Sequence, residues 1–362
     1  MATVIGGRYR QLEKIGAGGM QEVFVASDLS LGRRVAIKLP ISASASRRFD
    51  RSARLSAKVV HPNVAATLDY VRGVDRDCLV EELVSGLNLQ EKADRDFIAV
   101  DAHLAAHVLH HLSKGVAAAH RAGVVHRDLK PSNIIVSDDP NLTTVKITDF
   151  GIAKMADSVL AEELEEFERD STTITGSKTL LGAIPYMAPE SLLKPSSASF
   201  PSDIWALGAI GYWLLAGEAP FGVGIPAIAR IVGPDEPQKP KWLGKVRALH
   251  ELEDKLWTLI QRCLNRDAGE RPSADILAAA VGDLCYSTNQ RFEGLIDQVG
   301  IPNRPSNCFI EDGEHRVFFN SQNGYVGFGN APRVGNRVSF NAFPGSPHSR
   351  AGLVLLLKQS DF

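Results

Sequence analysis

The pattern of apolar and polar positions divides the chain into three stretches of different character. Residues 9–83 alternate short apolar runs, such as Val23-Phe24-Val25, with glycine and polar turns, and include one helical stretch near residues 46–59. Residues 101–122 and 203–216 repeat Ala and Leu at helical spacing, on either side of a hairpin-like segment at 133–150. The pattern therefore predicts a small β-rich lobe at residues 1–84 and a larger helical lobe at 85–288.

A third unit is predicted from the change in character after the last amphipathic helix, at residues 274–286. From there the chain becomes rich in Gly, Asn, Phe and Val, in short alternating runs. We expect a separate, small all-β domain at residues 289–362. The fold class as a whole is α+β.

Composition narrows the functional classes only slightly. A chain of 362 residues with 44% hydrophobic and 23% charged residues is typical of a globular protein with more than one core. With a formal net charge of -2, the chain lacks the overall electrostatic field expected of a protein that binds nucleic acids or membrane surfaces.

The cysteines and the apolar stretches bear on the cellular compartment. Four cysteines without CxxC spacing argue against a zinc site and against a disulfide framework. Residues 1–10 lack the apolar core of a signal peptide, and the most apolar stretch, 204–215, is too short to span a bilayer. We expect a cytoplasmic protein with no membrane segment.

Two features of the first lobe suggest phosphate handling. The glycine-rich run at residues 15–20 lies between two predicted strands, where missing side chains let backbone N–H groups approach phosphate oxygens. Taken alone, such a run is more often a simple turn. Lys38 ends an apolar strand, where its ammonium would point inward and need an anionic partner, unless it extends to the surface.

The most specific motifs follow in the helical lobe. Residues 124–133 read Val-Val-His-Arg-Asp-Leu-Lys-Pro-Ser-Asn, followed by Asp149-Phe150-Gly151 and then by Ala188-Pro189-Glu190. From about residue 9 to residue 285, this ordered set resembles the eukaryotic-type protein kinases that are also found in bacteria. The resemblance implies a bilobal kinase fold and transfer of the γ-phosphoryl group of Mg-ATP to a hydroxyl of a protein substrate.

By this resemblance, individual residues acquire roles. Lys38 would contact the α- and β-phosphates, Asp149 and Asn133 would hold magnesium, Asp128 would accept the proton of the substrate hydroxyl, and Lys130 would steady the γ-phosphate. The Lys-Pro-Ser-Asn context resembles the Ser/Thr-specific branch. The predicted ATP-binding residues are Ile15, Gly16, Gly18, Val23, Ala36, Lys38, Glu81, Glu82, Asn133 and Asp149.

The lysine's usual partner is missing from the sequence. Ser52 stands where the family carries a helix glutamate that pairs with the strand lysine, and Glu81 stands at the gatekeeper position, which is usually apolar or Thr. We expect Glu81 to replace the helix glutamate as the counter-ion of Lys38, because an unpaired acid there would be costly. The alternatives are a shift of one or two residues in the matching, or recruitment of Asp50.

Two further departures concern the loops. Gln21 occupies the third glycine position of the phosphate loop, which we expect to stiffen the turn without abolishing activity. Ala183 stands where Ser/Thr kinases usually carry a threonine that hydrogen-bonds to the catalytic Asp and Lys. We therefore expect slow turnover. These departures also fit an alternative function, a pseudokinase that acts as an ATP-regulated scaffold.

Structural and regulatory roles are implied for other positions. Residues 203–208 resemble the buried helix that anchors the catalytic loop, Arg271 is expected to pair with Glu190, and Arg127 is expected to meet a phosphorylated residue. The segment 149–190 is long and contains an acidic helix with an apolar face. That face would dock on the kinase itself as an autoinhibitory plug or on a partner, or the helix would simply lie over the surface of the large lobe. The segment's candidate autophosphorylation sites are Ser171, Thr172, Thr173, Thr175, Ser177 and Thr179.

A cluster of four histidines is a further candidate site in the helical lobe. His103, His107, His110 and His111 have helical spacing, but no Cys or carboxylate completes a zinc shell, so we interpret them as part of an ordinary helix.

Residues 291–358 resemble, at local matches, a cold-shock domain, which is a small OB-type barrel with strands at 293–296, 308–313, 317–320, 334–340 and 350–354. Gln298 and Asn320 replace its tryptophan and histidine, and residues 305–307 replace its Gly-aromatic-Gly run. We therefore favour a protein partner over a single-stranded nucleic acid for this unit, with both left open.

Overall fold

The computed structural model describes residues 4–17, 21–41, 49–50, 53–72, 77–150, 178–313 and 316–359. Among these residues, no helix has the length and apolar character needed to cross a membrane.

The first lobe is built on a six-stranded sheet. Its strand order is β1-β2-β3-β4-β6-β5, and every described pairing within it is antiparallel. One face buries Tyr9, Ala26, Val35, Ile37 and Val80 in a small core, so alternate residues of the same strands face the opposite side. The strands are β1 Val4–Ile5, β2 Tyr9–Ala17, β3 Gln21–Asp28, β4 Arg33–Pro40, β5 Thr67–Val71 and β6 Cys78–Glu82.

The second lobe is helical and contains the largest core. Helix α5, Phe200–Ala216, is buried on nearly all sides, as expected for a helix that is apolar all round. It packs with α2, whose first turn is capped by the Asp101 carboxylate, which accepts from the backbone N–H groups of His103 and Leu104. The helices are α1 Leu89–Asp96, α2 Ala102–Arg121, α3 Lys178–Ala183, α4 Pro189–Leu193, α5 Phe200–Ala216, α6 Ile225–Val232, α7 His250–Cys263 and α8 Ala274–Gly282.

A small sheet links this lobe to the first. It has the order β7-β8-β9, from Leu87–Asn88, Ile134–Val136 and Val145–Ile147. The β8–β9 hairpin is the segment that the sequence predicted between residues 133 and 150. Its two ends carry the residues on which the predicted chemistry depends.

The C-terminal unit is a closed barrel. Its sheet order is β12-β11-β10-β14-β15-β13, and a parallel pairing of β12 with β15 closes it. All five strands proposed from the sequence are present in the closed barrel, and its assignment as an OB-type barrel remains a prediction. The strands are β10 Arg291–Ile301, β11 Arg304–Glu311, β12 Arg316–Asn320, β13 Tyr325–Val326, β14 Arg337–Phe343 and β15 Ser349–Leu356, with the short helix α9 Ser321–Gly324 after β12.

The barrel is packed against the helical lobe. Arg291 forms a buried ion pair of 2.7 Å with Asp101, the residue that caps α2, and Arg337 lies 2.9 Å from Asp96 of α1. Leu355 and Leu357 join the core of the helical lobe. The two units therefore share apolar surface, while the predicted domain limits at residues 84 and 288 remain predictions.

Candidate active site

The first turn of α5 holds the catalytic loop, residues 126–133, in place. The Asp203 carboxylate accepts from the backbone N–H groups of His126 and Arg127, both at 2.8 Å, and it contacts His120 Nε2 at 2.9 Å. Arg127 adopts a left-handed backbone conformation, with φ 69°, which a non-glycine residue keeps only when its surroundings hold it there. The backbone of the loop is therefore held in place immediately before Asp128, the predicted proton acceptor.

Asp128 is oriented by two neighbours. Lys130 Nζ donates to its two carboxylate oxygens at 3.0 and 2.9 Å, and Asn133 Nδ2 donates to Oδ2 at 3.0 Å and to the backbone carbonyl of Asp128 at 2.8 Å. About a third of the Asp128 side chain (32%) is exposed. A carboxylate that is held in place and still open to solvent suits a group that receives a proton from an incoming hydroxyl.

The hairpin β8–β9 brings Asn133 and Asp149 to the same edge. Ile134 pairs with Ile147, and the backbone N–H of Thr148 donates to the Asn133 carbonyl at 2.9 Å. Asp149 follows directly, in a left-handed conformation with φ 64°. Because Asn133 uses its amide N–H on Asp128, its amide oxygen is turned away from that carboxylate.

Lys38 lies in a buried pocket between two carboxylates. Its Nζ is 2.5 Å from Glu81 Oε2 and 2.8 Å from Asp149 Oδ1, and its side chain is 5% exposed. Ala36, two residues before Lys38, pairs with Glu81 across β4 and β6, so the lysine and the glutamate are diagonal neighbours on one face of the sheet. The ion pair expected between Lys38 and Glu81 is thus present.

The alternative partner, Asp50, lies elsewhere. Its carboxylate accepts from Arg54 at 2.9 Å and lies 3.7 Å from Arg72 on the outer surface. Ser52, which replaces the family's helix glutamate, lies outside the described residues. Within the described part of the chain, the counter-ion of Lys38 thus comes from the sheet and not from the helix.

The two carboxylates that flank Lys38 differ in how readily they ionise. Burial by itself would lower the pKa of Lys38, but the carboxylates of Asp149 and Glu81 outweigh it and raise that pKa above its ordinary value. Burial would raise the pKa of Asp149, but Lys38 and Gln21 outweigh it, and the pKa is lowered. Burial, together with the negative charge of Asp149, raises the pKa of Glu81 in spite of the nearby Lys38. Asp149 is consequently the more firmly ionised of the two carboxylates.

Gln21 takes part in the site, which the sequence did not indicate. Its Nε2 donates to Asp149 Oδ1 at 2.8 Å, and only 8% of the residue is exposed. The sequence predicts only that Gln21 stiffens the glycine-rich turn. The available signal was that a long polar residue stands in place of a glycine, at the start of a strand that borders the cleft.

The remaining described residues of the predicted ATP-binding set lie on strands β2, β3, β4 and β6 of the sheet that carries Lys38. Ile15 and Gly16 are on β2, Val23 is on β3 opposite Lys38, and Ala36 is on β4. Glu82 ends β6, and its side chain pairs with Lys146 at 2.7 Å. The contacts of these residues with a nucleotide remain predictions.

Some predicted residues cannot be placed. Gly18 of the phosphate loop lies outside the described residues, as does the segment 151–177 with most of the candidate phosphorylation sites. Those sites are Ser171, Thr172, Thr173, Thr175 and Ser177. Thr179 lies in the described helix α3.

The expected structural pair between Arg271 and Glu190 is present. Arg271 donates to both carboxylate oxygens, at 2.8 and 2.9 Å, in the bidentate geometry that makes such pairs strong. Ala183, where the family usually has threonine, lines a cavity of about 10 Å³ together with Arg127 and Asp128. A hydroxyl is therefore missing close to the catalytic loop.

The histidine cluster lines one side of α2 and forms hydrogen bonds. His107 Nε2 contacts the Leu142 carbonyl at 3.1 Å, His110 Nδ1 contacts Tyr286 Oη at 2.7 Å, and His111 Nδ1 contacts Asn63 Nδ2 at 2.9 Å. Within the described residues, no group of three or more His, Cys, Asp and Glu side chains is arranged to hold a metal ion.

The fold and this arrangement of Lys38, Asp128, Asn133 and Asp149 define a protein kinase. The family described as "Protein kinase domain" matches residues 9–280, so the chain belongs to the protein kinase family. A solved structure, "Rad53 1-466 in complex with AMP-PNP", has a similar fold, with a TM-score of 0.56 and 22% sequence identity over 75% of this chain and 64% of that chain.

Among curated proteins, the chain is similar to bacterial serine/threonine-protein kinases. It is 32% identical to pkn2 of Myxococcus xanthus over 289 residues, which cover 77% of this chain and 33% of that protein. It is 35% identical to PknA of Mycobacterium tuberculosis over 292 residues, which cover 77% of this chain and 62% of that protein. It is 35% identical to PrkC of Bacillus subtilis over 226 residues, which cover 60% of this chain and 32% of that protein. The chain thus spans less than two thirds of each of these relatives.

Proposed function

We propose that this protein is a Ser/Thr protein kinase that transfers the γ-phosphoryl group of Mg-ATP to a hydroxyl of a protein substrate. The observation that carries the proposal is the Asp128 carboxylate, held by Lys130 and Asn133 and open to solvent at the mouth of the cleft. The likeness to bacterial serine/threonine-protein kinases supports the choice of substrate hydroxyl.

In the proposed reaction, the substrate hydroxyl oxygen forms a bond to the γ-phosphorus while the bond from that phosphorus to the β–γ bridging oxygen breaks. ADP leaves with the electron pair of the broken bond, and the hydroxyl proton passes to Asp128. Lys130, already beside Asp128, would neutralise charge on the moving phosphoryl group. Lys38 would hold the α- and β-phosphates from the base of the cleft.

The residues present fit a magnesium ion. Asp149 and the amide oxygen of Asn133 are hard oxygen ligands brought together at the end of the β8–β9 hairpin. Magnesium, when bound, neutralises charge on the β- and γ-phosphates. The chain's own contribution is to orient Asp149, which Lys38 and Gln21 both hold by Oδ1.

We propose that the kinase also phosphorylates itself in the segment 151–190. The hydroxyls at Thr172, Thr173, Thr175 and Thr179 are the candidates, since the resemblance implies that Arg127, beside the Asp128 carboxylate, meets a phosphorylated residue of this segment. Mass spectrometry of the full chain after incubation with Mg-ATP tests this proposal. Modification within the segment supports it, and an unmodified segment removes the proposed switch.

We further propose a protein partner for the barrel. Gln298 accepts from Arg316 at 2.6 Å and Asn320 donates to Ser306 at 3.1 Å, so both residues that replace the cold-shock aromatics are engaged with neighbours and offer no stacking surface. Binding of labelled single-stranded RNA to the full chain across a salt series would reveal the other partner class. We also propose a cytoplasmic location, because the four cysteines are free thiols, which suit a reducing compartment.

The decisive experiment is incorporation of labelled phosphate from γ-labelled ATP into a generic protein substrate. The wild type should incorporate label, and the Asp128→Asn and Asp149→Asn proteins should not, while their circular dichroism spectra match that of the wild type. A wild type that binds ATP but transfers no phosphate would favour the alternative, an ATP-regulated scaffold.

A further inference from the structure

Gln21 faces the cleft because of its place in the sheet. In the β3–β4 pairing, Gln21 lies opposite Pro40 and Val23 lies opposite Lys38. Side chains two residues apart share a face, so Gln21 points to the same side as Val23 and Lys38. Its contact with Asp149 joins residues 128 positions apart in the chain. A glycine at this position could not make the contact.

The two polar atoms of the Gln21 amide are in different situations. Nε2 donates to Asp149 Oδ1, whereas Oε1 is buried and has no hydrogen-bond partner among the described residues. A buried acceptor without a donor is unfavourable, so such atoms are rare in folded proteins. A donor that enters with a ligand of the cleft would satisfy the Oε1 atom.

Asp149 is held through one of its oxygens. Oδ1 accepts from both Gln21 Nε2 and Lys38 Nζ at 2.8 Å, and the described residues make no hydrogen bond to Oδ2. About a quarter (26%) of this side chain is exposed. Two donors on one oxygen fix the rotation of the carboxylate and leave the other oxygen available to the cleft.

We propose that Gln21 is a positioning residue for magnesium: its Nε2 fixes the Asp149 carboxylate so that Oδ2 is available to the ion, and its Oε1 accepts a hydrogen bond from a magnesium-bound water. Mg²⁺ in proteins usually keeps several of its waters, which are strong donors. The proposal rests on the proposed kinase function, because it assigns Gln21 to the metal site of that reaction.

The test measures ATP affinity of the full chain in EDTA and at increasing Mg²⁺ concentration, by titration calorimetry. The Gln21→Met variant keeps an unbranched side chain of similar length and removes the amide, and Gln21→Asn keeps the amide but shortens its reach by one methylene. Gln11→Met in the neighbouring strand β2 is the matched control, since Gln11 pairs with Ala26 away from Asp149.

For both Gln21 variants, the Mg²⁺ concentration giving half of the affinity gain should rise by about tenfold to a hundredfold, the usual worth of one hydrogen bond to a charged group. Affinity in EDTA should equal that of the wild type, and the Gln11→Met protein should match the wild type throughout.

Three results would overturn the assignment. Unchanged Mg²⁺ dependence would show that the amide does not serve the metal site. An equal loss of affinity in EDTA would make Gln21 a nucleotide contact or a purely structural residue. Tighter ATP binding by the variants would show that the contact with Asp149 obstructs the cleft. A wild type without Mg²⁺-dependent ATP binding would instead overturn the proposed function, and the role of Gln21 with it.

Discussion

The catalytic loop and the lysine pocket face the same cleft, yet they differ in how closely their residues follow the family pattern. In the loop, Asp128, Lys130 and Asn133 follow the family pattern, and the structure joins them by direct hydrogen bonds. In the pocket, Lys38 has lost the usual helix partner and lies between Glu81 and Asp149. The loop retains the family's residues, whereas the pocket reaches a similar charge balance with different ones.

The difference shows which part of the site tolerates substitution. The proton acceptor must lie within hydrogen-bond reach of the substrate hydroxyl, so its position is fixed by the reaction. The counter-ion of Lys38 needs only to be an anion held against the ammonium, and several positions around a buried lysine can supply it. Because Glu81 lies in the same sheet as Lys38, their pair does not depend on the position of a helix.

Removing the pocket's new carboxylate should have the largest effect among the pocket variants. In Glu81→Gln, Lys38 keeps only Asp149 as a counter-ion and draws that carboxylate away from the proposed magnesium site. We expect kcat/KM for ATP to fall by about tenfold to a hundredfold, which is less than the roughly 3–5 kcal/mol cost of breaking a buried pair outright, because Lys38 keeps Asp149. Steady-state kinetics at saturating protein substrate measures this.

The matched control for that variant is Glu13→Gln. Glu13 is exposed and pairs with Arg34 at 2.8 Å on the surface of the same lobe. An exposed pair contributes about 0–1 kcal/mol, so this variant should retain nearly full activity. If Glu81→Gln were as active as Glu13→Gln, the pocket would not depend on its second carboxylate.

Restoring the family's threonine should have a smaller and opposite effect in the catalytic loop. In Ala183→Thr, the added hydroxyl lies beside the cavity that Ala183 shares with Asp128, where the family's threonine is expected to hydrogen-bond to the residues matching Asp128 and Lys130. We expect kcat to rise by about threefold, through better orientation. Ala183→Val has the same branching without the hydroxyl and should not rise. Equal rates for the Thr and Val variants would show that no orientation was missing.

The smallest expected effect concerns the helix that precedes the catalytic loop. Burial, with the nearby His107 and Lys114, lowers the pKa of His111 from 6.5 to about 4. Between those pH values the unfolded chain binds a proton that the folded chain does not, so stability should fall as pH drops from 6.5 towards 4.

Urea unfolding midpoints at several pH values between 7.5 and about 4.5 measure this dependence. The His111→Gln variant removes the titrating ring and keeps an acceptor for Asn63, so its midpoint should change less over the same range. An equal pH dependence in both proteins would mean that other groups determine the acid sensitivity of the helical lobe.

Prediction from sequence succeeded where function is carried by contiguous motifs or regular alternation. The catalytic loop and the five main strands of the barrel were recognisable because each depends on local spacing, and the Arg271–Glu190 pair was expected from the resemblance to protein kinases. The Lys38–Glu81 pair was predicted differently, from two unusual residues whose charges could compensate one another.

Contacts between distant single residues were not predictable in this way. The Gln21–Asp149 hydrogen bond requires the strand after the glycine-rich loop to lie over Asp149, which no local pattern specifies. The buried Arg291–Asp101 pair, which fastens the barrel to the first turn of α2, likewise joins isolated charges. Such contacts follow from tertiary packing, so only the structure reveals them.

The central claim, that Glu81 is the counter-ion of Lys38, is tested most directly by a double-mutant cycle on the free energy of unfolding without nucleotide. The cycle compares the wild type with Lys38→Met, Glu81→Gln and the protein carrying both substitutions. We predict that the double substitution costs less than the sum of the single ones, with a coupling energy of about 2 kcal/mol. Additive losses would contradict the account, because they would show that the two side chains do not stabilise one another.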